Sequence, residues 1–190
     1  MSVKLLVLAG SLRKASYNKA LAKILAASAE RAGAEVNYIE LNDYPLPLFN
    51  EDDETANGID NNALKIKAMM NEADGFIITS PEYNGSYSGA LKNMVDWASR
   101  QAEGEGMLES FKDKYAAIFS TSPGAFGGLR GLSQLRLLLS GLGTHLLADQ
   151  IAIPKSHEAI TEDGTLASDK RQASVDRVVA KLVDTIAKLK

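Results

Sequence analysis

Five times along this chain a short apolar run is followed by a stretch whose apolar residues recur every three or four positions, and few folds accept that order. The runs are residues 3–9, 35–41, 75–80, 115–120 and 145–153. Residues 3–9, VKLLVLA, are almost continuously apolar, as expected of a strand covered on both faces. Residues 35–41 mix polar and apolar side chains and read as a less buried strand near an edge. Between the runs, Leu21, Ile24, Leu25, Ser28 and Ala32 share a helix face, and Gly33 is placed to stop that helix. Ile59, Ala63, Ile66, Met70 and Ala73 form a second such face, and Leu91, Met94, Val95 and Ala98 a third. A leucine-rich helix is predicted over 129–142, and the clearest periodicity runs from Val175 to Leu189. Residues 43–53 hold Pro45 and Pro47 and read as loop, as does the polar stretch 101–106, and residues 154–164 are polar.

Strand–helix alternation of this kind implies an α/β chain with an open parallel sheet wound on both faces. Five strands in 190 residues fit the flavodoxin-like order 2-1-3-4-5 in a single domain, residues 1–190. In that winding, ligands lie outside the carboxyl ends of the strands where the order reverses, between strands one and three. The loops after strands one, three and four therefore carry the function.

Composition removes several classes of function. The net charge of −3 is far from the basic surface of a nucleic-acid binder. Without cysteine there is no disulfide, thiolate nucleophile, iron–sulfur cluster or cysteine zinc site, and two histidines make a histidine metal site a poor expectation. No apolar run reaches membrane-spanning length, and the N-terminal one is too short for a signal-peptide core, so the expectation is a cytoplasmic protein with no membrane or nucleic-acid partner.

Loop one, GSLRKASYN from Gly10 to Asn18, lacks the GxxxxGK[ST] and GxGxxG patterns. It still offers hydroxyls at Ser11 and Ser16, a guanidinium at Arg13 able to fork onto a phosphate, and the free amides of the helix start behind it. The plainer reading is that Ser16 only caps the helix and Arg13 is solvated. The loop after strand three, SPEYNGSYSG, has Gly85 and Gly89 for close backbone approach, Tyr83 and Tyr87 for flat apolar surface, and Glu82, Asn84 and main-chain amides for the edge of a planar ring. Its plainer reading is a turn with incidental aromatics. The loop after strand four, STSPGAFGGLRG, reads either as a second wall or as a flexible helix entry. A phosphate site and a flat-ring site on neighbouring strands describe one ligand, FMN.

The stretches GSLRKASYNKAL, SPEYNGSYSGALKNMVDW and STSPGAFGG, in this order and spacing, resemble the NADPH-dependent FMN reductase family, to which bacterial soluble quinone and chromate reductases belong. The resemblance spans residues 3–153. It implies a flavodoxin-like fold, bound FMN, homodimers or homotetramers, and hydride transfer from NADPH or NADH through FMN to small acceptors: quinones, free flavin, chromate or azo dyes. It also implies that Ser11, Arg13, Ser16 and Asn18 hold the phosphate, that Pro81, Glu82, Tyr83, Asn84 and Gly85 line the ring, and that Ser122 lies near its other edge. Many relatives carry proline where this chain has Ser88. Trp97 reads as a structural anchor. No acid, base or metal ligand is assigned, because the flavin carries the redox chemistry.

Two rivals share the topology. A receiver domain needs acids ending strand one and a phosphoacceptor aspartate ending strand three, but those places hold Ala9-Gly10-Ser11 and Ser80-Pro81-Glu82. A flavodoxin-like electron carrier without its own NAD(P)H oxidation is the remaining alternative. The surplus of leucine over 129–142, more than one face against a sheet absorbs, points to a second subunit.

Overall fold

The computed structural model describes residues 2–190. Its strands are β1 (Lys4–Ala9), β2 (Glu35–Ile39), β3 (Gly75–Thr79), β4 (Tyr115–Thr121), β5 (His145–Leu146) and β6 (Ile151–Ile153). Its helices are α1 (Tyr17–Arg31), α2 (Glu51–Asn57), α3 (Asn61–Glu72), α4 (Gly89–Ala98), α5 (Leu129–Gly141), α6 (Ser156–Ala159) and α7 (Asp169–Leu189). The strands lie in the order β2-β1-β3-β4-β5, with β6 also paired to β4, and every pairing is parallel. The winding the alternation predicts is the one observed.

Successive side chains of a strand point to opposite faces, and here both faces are cores. From β1, Leu5, Val7 and Ala9 pack with α1 and α7, while Leu6 and Leu8 pack with α3, α4 and α5. The same split runs through β4, with Ala117 and Phe119 on one side and Ala116 and Ile118 on the other. A sheet covered twice needs runs with no polar alternation, which is why the central strands were so plain in the sequence.

Two details depart from expectation. Part of the stretch read as loop over 43–53 begins α2, a helix with no buried residue. It is held by its ends instead: the Asn50 side chain accepts from the Asp52 amide at 3.1 Å, and Glu51, Asp52, Asp53 and Glu54 sit at the positive end of its dipole. No apolar stripe announces such a helix. The single strand expected over 145–153 is broken. Tyr115 pairs with His145 and Phe119 with Ile151, so the edge chain carries two more residues than β4 between the same pairs. This bulge is held by Arg136 of α5, whose guanidinium donates to the Leu147 carbonyl at 2.8 Å and to Gln150 Oε1 at 3.1 Å. The polar stretch 154–164 contains the single turn α6.

Trp97 is an anchor, as expected. It is buried, donates Nε1–H to the Pro47 carbonyl at 2.8 Å and meets Phe49 edge-on at 5.1 Å. The proline-containing segment thus folds down over α4. No helix among the described residues is long and apolar enough to cross a membrane.

Candidate functional site

The carboxyl ends of β1, β3 and β4 stand side by side, so the loops leaving them share one rim of the sheet. Loop one enters α1 through Ser16, whose Oγ accepts from the Lys19 amide at 3.4 Å. Among the described residues, the backbone N–H groups of residues 12–18 donate no hydrogen bond, and the first turn of α1 holds no acid. A row of unpaired amides at the positive end of a long helix is an anion site. Arg13 is exposed beside it. Its guanidinium donates to the Ala15 carbonyl and lies 5.7 Å from the centre of the Tyr17 ring, and no carboxylate among the described residues pairs with it. Ser11 is buried at the base of the loop.

Asn18 behaves differently from its neighbours. Its side chain turns inward, donating to the Thr121 carbonyl at 2.9 Å and accepting from the Thr121 amide at 3.1 Å. Thr79 Oγ1 donates to the Asn18 carbonyl at 2.8 Å. The carboxamide expected at the phosphate instead braces the start of α1 against the ends of β3 and β4, leaving only its backbone amide toward the loop.

The loop after β3 is a tight hairpin. Tyr83 and Ser86 exchange both main-chain hydrogen bonds, at 2.9 and 3.1 Å, and the two residues between them, Asn84 and Gly85, have φ of 53° and 80°. Positive φ at both central positions is a type I′ turn, for which Asn-Gly is the favoured pair. That dipeptide was the available signal for the hairpin. Tyr83 is 55% exposed, and Tyr87 tucks against the α4 side of the core.

Glu82 does not face outward from this hairpin. Its side chain is only 7% exposed and is turned onto the start of α5. It accepts from Arg130 Nε at 2.7 Å, from the Arg130 amide at 3.0 Å and from the Gly131 amide at 3.3 Å, and a second guanidinium nitrogen completes the ion pair. The residue preceding α5 is Gly128, which offers no capping side chain, so the hairpin supplies the cap. Burial alone would raise the Glu82 carboxyl, but the Arg130 side chain and the two amides outweigh it and hold it below the ordinary carboxylate range. The carboxylate is therefore not free for a ring edge, a departure from the expectation for Glu82. Arg130 was not among the expected residues.

The loop after β4 packs closely where it enters α5. At Gly128 φ is 91°, and a Cβ there would lie 1.8 Å from Ser120 Oγ, so the backbone presses directly on the strand end. Ser120 Oγ in turn donates to the Ser80 carbonyl at 2.7 Å. Ser122 is half-buried, with its amide on the Ile153 carbonyl at 3.3 Å and its carbonyl receiving the Ser156 amide at 3.0 Å.

Ser88 joins two of the loops. Its Oγ donates to the Gly10 carbonyl and accepts from the Leu91 amide at 3.1 Å, capping α4, while its own amide donates to Ser80 Oγ at 3.2 Å. Beyond loop one, toward β2, an apolar cleft of about 380 Å³ between Leu12, Tyr44, Leu46 and Met94 has no charged residue in its lining.

The sequence profile described as NADPH-dependent FMN reductase matches residues 3–158. This chain belongs to that family. It is 33% identical over 181 residues to the NAD(P)H-dependent FMN reductase PA1204 of Pseudomonas aeruginosa, covering 95% of this chain and 93% of that protein. It is 32% identical to the NAD(P)H:quinone oxidoreductase of Solanum tuberosum, covering 99% and 95%. The solved structure of FerB, a flavoenzyme NAD(P)H:(acceptor) oxidoreductase from Paracoccus denitrificans, superposes with a TM-score of 0.83 at 34% identity, covering 98% of both chains.

The cofactor of the family is FMN, and the rim described above fits it. The unpaired amides of residues 12–18 with the Arg13 guanidinium, which pairs with no carboxylate among the described residues, suit a dianionic phosphate. An exposed Tyr83 beside Asn84 and Gly85, whose main-chain N–H groups donate to nothing among the described residues, suits the edge of a planar ring.

Proposed function

We propose that this protein is an NAD(P)H-dependent FMN oxidoreductase, one domain across its 190 residues, that delivers reducing equivalents to quinones and free flavin. The observation that carries the reading is the row of unpaired amides at the start of α1, one strand away from a tight hairpin of the right chemistry for a flat ring. FMN, when bound, supplies the two-electron chemistry. In this reading Ser11, Arg13, Ser16 and the main chain at Asn18 hold the phosphate. Pro81, Tyr83, Asn84, Gly85 and the backbone of Glu82 line the ring, and Ser122 borders its other side.

The chain needs no acid or base of its own. The carboxylate nearest the hairpin, Glu82, is already engaged by Arg130. The free hairpin amides would instead offer fixed dipoles to negative charge on the ring of a bound FMN. Relatives named as FMN and quinone reductases support quinones and flavins as acceptors. Chromate and azo dyes ask only for access to the ring and complete the proposed range. Assembly as a homodimer or homotetramer in the cytoplasm belongs to the same proposal.

The test is anaerobic. Purified protein loaded with FMN should bleach on adding NADPH or NADH alone and recover its colour on adding a quinone, with ping-pong kinetics at steady state. A protein that never retains FMN ends the proposal. One that holds FMN but is reduced only through a second protein is an electron carrier.

A further inference from the structure

We infer that Asn84 is a site of spontaneous deamidation built into the flavin hairpin, so that the FMN-free protein loses its cofactor site with age. Two Asn-Gly pairs occur in the chain, Asn57-Gly58 and Asn84-Gly85. In this reaction the main-chain nitrogen of the glycine, having lost its proton to solvent base, attacks Cγ of the asparagine. A new N–C bond closes a five-membered succinimide, the bond from Cγ to the amide nitrogen breaks, and ammonia leaves. Water then opens the ring at either carbonyl to give aspartate or isoaspartate. The sum is one water in and one ammonia out, with no change of oxidation state.

The structure treats the two pairs differently at the attacking nitrogen. The Gly58 amide donates to the Glu54 carbonyl at 2.7 Å, closing the last turn of α2. Attack there must first break that bond. The Gly85 amide donates to no acceptor among the described residues. No side chain shields it, since a Cβ placed on Gly85 would meet nothing within 4 Å, and Asn84 is itself exposed. Glycine also lets the peptide rotate toward the attack geometry with little steric resistance.

The consequence falls on the site. A type I′ turn of two residues has no slack, and isoaspartate routes the chain through one additional carbon, so the paired bonds between Tyr83 and Ser86 cannot both survive. Either product also leaves a carboxylate where the ring edge lies. This second step rests on the ring placement proposed above. In that placement bound FMN covers Asn84 and Gly85 and slows the reaction, so the cofactor preserves its own site.

The experiment uses wild-type protein, FMN-free and FMN-saturated, held at mildly alkaline pH and sampled over days. Peptide mass mapping and enzymatic isoaspartate detection report each asparagine, and FMN titration reports the binding-competent fraction. The expected result is conversion at Asn84 several-fold faster than at Asn57 in the FMN-free sample, suppression by FMN, and loss of FMN-binding capacity in step with conversion. Equal or slower conversion at Asn84 than at Asn57 overturns the inference. Fast conversion at Asn84 that FMN does not slow, in protein that still binds FMN fully, upholds the modification and refutes the ring placement.

Discussion

Glu82 is carried by one loop and caps the start of α5 through Arg130, 48 residues later, so a single carboxylate joins the two walls of the proposed ring site. Its effect on stability has a definite sign with pH. The unfolded chain titrates this group near 4.5 and the folded chain titrates it lower. On acidification the unfolded chain therefore binds the proton first, and the stability this carboxylate contributes at neutral pH is lost as pH falls through the folded value. Glu82→Gln keeps an acceptor for the amides of Arg130 and Gly131 but has no proton to take up. Denaturation of both proteins should show a stability gap at neutral pH that closes below about 4.5; parallel curves across that range would remove Glu82 from this role. Arg13 makes the opposite case, a cation held by no acid. One charge-assisted hydrogen bond contributes roughly 1.5–3 kcal/mol, so Arg13→Ala should weaken FMN about ten- to a hundredfold. Riboflavin, which has no phosphate, should bind as before, and Lys14→Ala should alter neither. Equal weakening of both flavins would make Arg13 a support of the fold. At this scale the sequence was half legible. Arg13 is exposed beside the amides and its one hydrogen-bond partner, Ala15, is two residues away, whereas the partners of Asn18 and Glu82 lie 103 and 48 residues away. No local pattern announces such pairs.

Elements that bury a stripe were readable, and elements held by their ends were not. The central strands and α7 follow directly from apolar spacing, while α2 rests on a cap and four acids and buries nothing. The hairpin after β3 had a signal in Asn84-Gly85, but not a sufficient one, since the same pair at Asn57-Gly58 closes α2. The start of α4 shows how an element can depart from the motif it resembles and remain sound. Ser88 has φ of −72° and ψ of 150°, a backbone that proline also adopts, so proline would fit there without rearrangement. Proline there would stiffen the unfolded chain, a gain of about 0.4–1 kcal/mol. It would also abolish the bonds from Ser88 to Gly10, Leu91 and Ser80, each contributing about 0.5–1.5 kcal/mol. The losses exceed the gain, so Ser88→Pro should destabilise this protein by about 1–3 kcal/mol in urea denaturation. A stabilised variant would mean that those three bonds are replaced on substitution.

At the scale of the whole molecule, the leucine surplus of α5 is largely taken up within one chain. Of the surplus on α5, Leu132, Leu135 and Leu139 are buried, and Leu138 and Leu142 pack partly onto the same core. The broken edge strand explains the capacity, because α5 covers β4 together with both edge segments and so meets a wider surface than one strand offers. Only Leu129 and Leu137 are left exposed, the latter at 68%. Single exposed leucines are ordinary on a monomer. The weight of the assembly prediction therefore moves to the rim, where Tyr83 on the hairpin, Phe126 at 67% exposure and Leu129 lie on the two walls that Glu82 and Arg130 tie together, and the Arg130 guanidinium sits 6.0 Å from the centre of the Phe126 ring. Aromatic side chains with arginine among them are what protein interfaces enrich. Light scattering at micromolar concentration should give the mass of two or four chains. Leu137→Asp, on the outer face of α5, should leave that mass unchanged, while Leu129→Asp should lower it toward one chain without loss of helical content. If Leu137→Asp alone dissociates the assembly, the seam is the outer face of α5. If the wild-type protein already has the mass of one chain, the rim residues face solvent or acceptor and the assembly does not exist.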